Sequence, residues 1–290
     1  MRATIYLFIG MQRKFLTTGF IFILVSCVSL GNGYCIEIER LSLPSIPDLT
    51  RTDIYYIKPD YKPIACLVMC PGIDGNGEHY LRRPDLLAFA KQYKVALVAL
   101  SFASSLDVLQ DEKGYYIASQ GAGNLLLKGI DDHIAIGVPL LLYGFSGGAH
   151  FVSSFEESYP ERTMAWCAYT ANSWKAPKTN RSNPPGIIAC GKLDVERYEA
   201  TFQYFQKGRK LGKPWCWVAL GNTDHAENES LNAFTIAYFE AILNNGSSPG
   251  GWFDINTTNK LSLNEITKPE NTAWLPSNYV HQMWCKLHNP

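Results

Sequence analysis

The feature that most constrains the fold of this chain is a glycine-rich segment between an apolar run and a helical pattern. Residues 138–142 are apolar and predict a buried strand, and residues 149–155 continue as a helix. Between them, Gly144-Phe145-Ser146-Gly147-Gly148 fits G-x-S-x-G, a pattern typical of a tight turn from strand to helix. Glycines are needed two residues before and after Ser146 because side chains there would collide as the turn tightens.

Such a turn holds the Ser146 hydroxyl clear of the sheet, where it is a candidate nucleophile. The alternative is a glycine-rich turn that merely carries a serine. The position of the motif between a buried strand and a helix favours the nucleophile.

Apolar strand-like runs alternate with helical patterns along much of the chain. This alternation predicts an α/β fold over residues 50–245, with a mostly parallel central sheet and helices on both faces. Besides the elements around Ser146, the predicted strands cover residues 53–57, 64–70, 94–100, 164–169, 186–190 and 215–220, and the predicted helices cover residues 81–93, 116–131, 196–210 and 227–243.

Composition and motifs exclude several classes of function. The 290 residues include 26 Lys and Arg against 26 Asp and Glu, so nothing favours a nucleic-acid partner or a charged membrane surface. The sequence has no P-loop, no complete G-x-G-x-x-G, no H-E-x-x-H and no paired C-x-x-C. Asp74 and Asn76 alone are too few ligands for calcium. We therefore predict neither a cofactor nor a metal.

The N-terminus has the pattern of an export signal. Arg13-Lys14 precedes residues 15–30, which are uncharged and mostly apolar. We predict a signal peptide over residues 1–34 and a periplasmic or extracellular protein. Leu24-Val25-Ser26-Cys27 resembles a bacterial lipobox, which would place a lipid anchor on Cys27; the alternative is ordinary cleavage near residues 31–34.

Residues 246–290 follow a turn cluster that ends the last periodic helix. We expect a C-terminal appendage that packs its tryptophans on the main domain, with a carbohydrate-binding surface as the alternative. The chain has eight cysteines, which leaves one disulfide open. Five lie in apolar strand-like runs and are expected as buried thiols: Cys66, Cys70, Cys167, Cys190 and Cys216.

A serine nucleophile needs a base, and the base needs an acid that orients it. Around a G-x-S-x-G turn the chain order is serine, acid, histidine. Asp194 follows one predicted strand and His225 follows the next, so both fall at the sheet edge where Ser146 emerges. The less favoured candidates are His150 for the base, and Glu196, Glu199 and Asp224 for the acid.

Charge on the attacked oxygen needs two aimed N–H donors. The backbone amide of Gly147, next to the nucleophile, is one candidate. The loop after Cys70-Pro71-Gly72 offers the amide of Ile73 as the second, with Asp74 as its alternative. A plain glycine-rich turn remains the other interpretation of this loop.

The turn around Ser146, the Cys70-Pro71-Gly72 loop and the order of Asp194 and His225 resemble the α/β-hydrolases. Over residues 53–243 the chain is similar to exported esterases of the polyhydroxybutyrate-depolymerase, feruloyl-esterase and dienelactone-hydrolase type. The resemblance implies a serine hydrolase that needs no cofactor. Two departures are the Cys-Pro-Gly loop, where many relatives have His-Gly, and the lack of a lid insertion beyond the polar stretch 172–185.

The leading hypothesis is therefore an ester hydrolase acting on a small-molecule or polymer-borne ester. The alternatives are a serine peptidase on the same fold and a non-catalytic binding protein that retains it. Phe102, Tyr116 and Trp174 are candidates for the substrate pocket, because their segments are expected to surround Ser146.

Overall fold

The computed structural model describes residues 23–30, 34–105, 113–172, 174–179, 182–244 and 250–288. Within them a nine-stranded sheet has the order β1-β2-β3-β5-β4-β6-β7-β8-β9. Every pairing from β5 to β9 is parallel, and the pairings among β1, β2, β3 and β5 are antiparallel. The strands are β1 (Ile23–Leu30), β2 (Tyr34–Ser42), β3 (Leu49–Ile57), β4 (Ala65–Cys70), β5 (Val95–Ser104), β6 (Leu140–Phe145), β7 (Thr163–Tyr169), β8 (Gly186–Gly191) and β9 (Trp215–Leu220).

Helices cover both faces of this sheet, as the alternation of patterns predicts. Strands β4, β5, β8 and β9 are buried along their whole length, which explains their continuous apolar sequences. The helices are α1 (Pro84–Tyr93), α2 (Ala122–His133), α3 (Gly147–Ser158), α4 (Val195–Lys210), α5 (Glu229–Leu243) and α6 (Asn278–Leu287).

Two helices begin three or more residues later than predicted. The segment 81–93 becomes helical only at Pro84, because proline fits the first turn, and residues 77–82 form a 3-10 helix instead. The helix predicted over residues 116–131 begins at Ala122, after a 3-10 turn. Gly121 has φ 114°, which interrupts any helix that would start at Tyr116.

The N-terminal edge of the sheet lies upstream of residue 50, where the sequence pattern placed the start of the domain. Strand β2 pairs with β3, and Ile38 and Leu41 on β2 are buried in the core. Strand β1 pairs with β2 and contains Cys27. Residues 1–22 and 31–33 lie outside the described residues. The signal peptide and the lipid anchor on Cys27 stay predictions.

The C-terminal residues form a small three-stranded sheet of β10 (Gly251–Asp254), β11 (Lys260–Leu261) and β12 (Thr272–Leu275), followed by α6. Trp284 on α6 is fully buried, and its indole nitrogen donates to Trp217 O at 2.7 Å. Trp252 packs under the Arg209 guanidinium of α4 at 4.0 Å. Trp284 therefore joins the tail to β9, and Trp252 joins it to α4.

The five cysteines predicted as buried thiols are confirmed as free and buried. Cys285 is free and exposed. In the part of the chain that the structure describes, no helix is long and apolar enough to cross a membrane. The same residues contain no group of three or more side chains suited to hold a metal ion.

Candidate active site

Ser146 lies on a strained turn between β6 and α3. Its backbone has φ 53° and ψ −115°, a conformation rare for a residue with a side chain. A Cβ on Gly144 would lie 2.2 Å from Gly148 O, and a Cβ on Gly148 would lie 2.1 Å from Cys70 O. Both glycines are therefore required by close backbone approach, as the sequence pattern predicts.

A chain of hydrogen bonds joins Ser146, His225 and Asp194. The distance from Ser146 Oγ to His225 Nε2 is 2.9 Å. His225 Nδ1 lies 2.8 Å from Asp194 Oδ2 and donates to it, since the carboxylate can only accept. The structure thus brings together the three residues that sequence order selects, and with Nδ1 donating to Asp194, Nε2 is the ring nitrogen that faces the serine hydroxyl.

Asp194 is buried at the N-terminus of α4, and three side chains hydrogen-bond to its carboxylate. Thr170 Oγ1 and His225 Nδ1 donate to Oδ2, while Arg197 Nη1 donates to Oδ1 at 2.9 Å. Burial alone would raise the pKa of Asp194, but these three donors lower it below its ordinary value. The acid therefore stays ionised beside the imidazole.

The loop that carries His225 is held by contacts with the ends of β6 and β7. Tyr169, at the end of β7, donates its hydroxyl proton to Ala226 O at 2.6 Å. The ring of Phe145 lies 5.2 Å from the His225 ring, so the imidazole packs on the residue that precedes Ser146. These contacts leave the histidine ring few orientations other than the one that faces Ser146.

The two predicted oxyanion donors lie against each other. A Cβ on Gly147 would be 2.8 Å from Ile73 N, so the two backbones are in close contact beside Ser146. Within the described ranges, neither amide donates a hydrogen bond to another protein group. The alternative donor, the Asp74 amide, instead faces the buried Tyr115 hydroxyl. The arrangement favours Gly147 and Ile73 as the pair.

Arg51 on β3 holds the Ile73 loop, a role that no local sequence pattern indicates. Its Nη2 donates to Asp74 O and to Gly75 O, the latter at 2.9 Å. Its Nε donates to Ser101 O on β5 at 3.1 Å. One guanidinium thus ties this loop to the sheet.

A cleft of about 810 Å³ opens at Ser146 and is lined by one face of α3. Its other walls include Tyr116, Arg197 and residues 172, 174–176 and 178. The α3 residues that line it are spaced three or four apart, with polar side chains dominating: Gly147, His150, Ser153, Ser154, Glu157 and Ser158.

Two of the three predicted pocket residues, Tyr116 and Trp174, line this cleft. Trp174 stacks on Tyr204 with ring centroids 4.5 Å apart. The prediction for Phe102 is wrong: its side chain is buried in the core and packs against Phe151. Strand β5 is buried at every position, so a ring on it has no path to the cleft.

The less favoured base and acids lie outside the hydrogen-bonded chain. His150 lines the cleft and bonds Asn172 Oδ1 through Nε2 at 3.0 Å. Burial lowers the pKa of His150, with Arg197 adding to the effect. The Glu196 side chain is 80% exposed and pairs loosely with Arg197. Glu199 bonds Gln203 on the surface of α4.

No protein-family model matches the sequence, and no curated protein matches it. Several solved structures are similar to this protein. S-formylglutathione hydrolase from Agrobacterium tumefaciens has a TM-score of 0.57 at 13% identity, over 77% of this chain and 98% of that one. An esterase from Pyrococcus furiosus has a TM-score of 0.51 at 12% identity, over 72% and 91% of the two chains. A poly(3-hydroxybutyrate) depolymerase from Bordetella parapertussis has a TM-score of 0.50 at 14% identity, over 74% of this chain and 91% of that one.

The class of fold follows from these likenesses and from the sheet. This protein has the α/β-hydrolase fold, as the sequence resemblance implies. Ser146, Asp194 and His225 each stand just beyond the carboxyl end of a parallel strand, at one edge of the sheet.

Proposed function

We propose that this protein is a serine hydrolase that cleaves carboxylic esters. The observation that carries the proposal is the hydrogen-bonded chain from Ser146 Oγ through His225 to the buried Asp194, on a strained turn. Strain of this kind costs about 1–3 kcal/mol and persists only where surrounding structure enforces it, as at catalytic sites. Such strain also occurs at ligand clamps, so the hydrogen-bonded chain is what favours catalysis over ligand binding alone.

In the proposed reaction His225 Nε2 takes the Ser146 proton as the oxygen attacks the ester carbonyl. The amides of Gly147 and Ile73 stabilise the negative oxygen of the tetrahedral intermediate. His225 returns the proton to the leaving alcohol, and water then hydrolyses the acyl-enzyme by the same route. Asp194 holds the imidazole tautomer and stabilises the imidazolium that forms.

The cleft favours a polar ester over a long-chain lipid. The Ser153 hydroxyl donates to His150 O at 3.0 Å, and the Ser158 hydroxyl donates to Ser154 O at 2.7 Å. Their oxygen lone pairs remain available to accept hydrogen bonds along the cleft. The cleft is also lined by Glu157, Lys178 and Arg197, and a hydrocarbon chain laid there would displace water from these groups without replacing its hydrogen bonds. We therefore expect a short acyl group and a hydrogen-bonding alcohol.

The test is hydrolysis of p-nitrophenyl esters from acetate to decanoate, with aminoacyl p-nitroanilides assayed in parallel. Ser146→Ala removes the proposed nucleophile. Ser45→Ala is the matched control, because Ser45 is exposed in the loop between β2 and β3. Labelling by a fluorophosphonate reports serine activation without assuming a substrate.

We expect turnover of acetate that falls as the acyl chain lengthens and disappears in Ser146→Ala. Turnover of anilides above esters would replace the ester proposal with a peptidase. A rate that rises toward decanoate would remove the argument from the polar cleft. Neither turnover nor Ser146-dependent labelling would leave a binding protein.

A further inference from the structure

We propose that Thr170 is the positioning residue for the acid of this site, an inference that rests on the proposed function. Thr170 directly follows β7, one residue beyond Tyr169, and its side chain is fully buried. Its Oγ1 donates to Asp194 Oδ2, the same oxygen that accepts from His225 Nδ1. Thr170 touches neither Ser146 nor the cleft, so it acts through Asp194.

The hydroxyl proton of Thr170 is committed to the carboxylate. Cys190 Sγ lies 3.3 Å from Thr170 Oγ1, and burial raises the pKa of the Cys190 thiol to about 11. The carboxylate can only accept, so it takes the single hydroxyl proton of Thr170, and the protonated thiol is left to donate toward the threonine oxygen. A directed chain results, from Cys190 through Thr170 to Asp194 Oδ2.

This chain fixes which oxygen faces the imidazole. Arg197 binds Oδ1 from the cleft side, and its side chain is 23% exposed. Thr170 binds Oδ2 from the protein interior. With a donor on each oxygen, the carboxylate cannot rotate without breaking one of the two bonds, so His225 Nδ1 meets an acceptor in a fixed direction.

The backbone of Thr170 is a second, independent observation. Its φ is 51°, an outlier for a β-branched residue, which glycine or asparagine would adopt more readily. Its amide donates to Ala189 O on β8 at 2.9 Å. A residue needed only to end β7 would not require a branched side chain in this conformation. The hydroxyl is what the threonine adds.

The test compares Thr170→Val, which keeps the shape and removes the hydroxyl, with Thr170→Ser, which keeps the hydroxyl. Thr235→Val is the matched control, since Thr235 is a buried threonine on α5 whose hydroxyl bonds Leu231 O and Cys167 Sγ. Readouts are kcat and KM against pH, and the far-downfield proton NMR signal of the imidazole N–H bonded to Asp194. Thermal unfolding verifies that each variant is folded.

We expect Thr170→Val to lower kcat by about 10- to 100-fold, the range for losing one hydrogen bond to a charged group, with KM nearly unchanged. The acid limb of its profile moves to higher pH, because Asp194 loses a donor that lowers its pKa. The downfield signal weakens. Thr170→Ser and Thr235→Val keep the wild-type kcat and signal.

Wild-type kcat, profile and downfield signal in Thr170→Val would overturn the proposal. If that variant does not fold, Thr170→Ala gives the same decision, since it too lacks the hydroxyl. A wild-type protein without ester turnover would defeat the proposed function alone. The downfield signal would still decide whether Thr170 positions Asp194.

Discussion

At the residue scale, the site depends on two backbones that approach closely enough to exclude a single methyl group. Gly147 follows Ser146, and its missing side chain leaves room for Ile73 N and for the Tyr115 hydroxyl, each within 2.8 Å of where a Cβ would stand. This contact places the amides of Gly147 and Ile73 close together beside Ser146. Gly147 thus determines the geometry of the proposed oxyanion site.

Gly147→Ala is expected to lower kcat by about 10²- to 10³-fold, the usual cost of losing one oxyanion donor. The added methyl group pushes Ile73 away, so the second amide no longer aims at the oxygen. Steady-state kinetics on a p-nitrophenyl ester measures the effect. Gly221→Ala is the matched control, because a Cβ on Gly221 meets nothing within 4 Å. Equal kcat in both variants would rule out this donor pair.

At the element scale, the outcome shows which features the sequence could predict. Ser146, Asp194 and His225 each follow an apolar strand, so their meeting at one sheet edge follows from parallel topology alone. Thr170 and Arg51 have no such signal, because the partners of their side chains lie 20 or more positions away and depend on the sheet order. The prediction that Phe102 lines the substrate pocket is wrong, because sequence does not distinguish an aromatic residue in a fully buried strand from one beside a cleft.

Arg51→Gln is expected to lower kcat by about tenfold, because the Ile73 loop loses hydrogen bonds that hold it to β5. Hydrogen exchange over residues 71–77 should speed up in the same variant. Arg162→Gln is the control: Arg162 bonds Asp131 and Val138 O, before β6 begins and away from Ser146. Arg162→Gln should lower the free energy of unfolding and leave kcat unchanged. Loss of kcat in Arg162→Gln but not in Arg51→Gln would reject the assignment.

At the scale of the whole molecule, the tail covers the edge strand that leads to His225. Strand β9 ends the sheet, and its outer edge is paired by α6 and the residue after it. Trp284 donates to Trp217 O, and His288 Nδ1 accepts from Ala219 N at 3.1 Å. An uncovered edge would offer unpaired backbone groups to other chains. The tail therefore supports the strand and the loop beyond it.

The pairing by His288 makes the stability of the molecule depend on pH. Nδ1 accepts from Ala219 N, so the ring is neutral and Nε2 donates to Ile255 O at 2.9 Å. Burial lowers the pKa of His288 below its ordinary value, with Lys192 adding to the effect. The unfolded chain binds this proton below about pH 6.5, while the folded chain resists it. The contribution to the free energy of unfolding is thus complete above that pH and is lost as pH falls toward the folded pKa.

His288→Gln is therefore expected to flatten the loss of stability as the pH falls below about 6.5, although it destabilises the protein at neutral pH. Urea unfolding at several pH values measures this slope. Trp284→Phe serves as the control, because it weakens the same contact with β9 while His288 still titrates. It should lower the free energy of unfolding and keep the wild-type slope. His150 has a pKa lowered by burial as well, so part of the slope remains in His288→Gln. An unchanged slope in that variant would mean that His288 is protonated equally in the folded and unfolded chains.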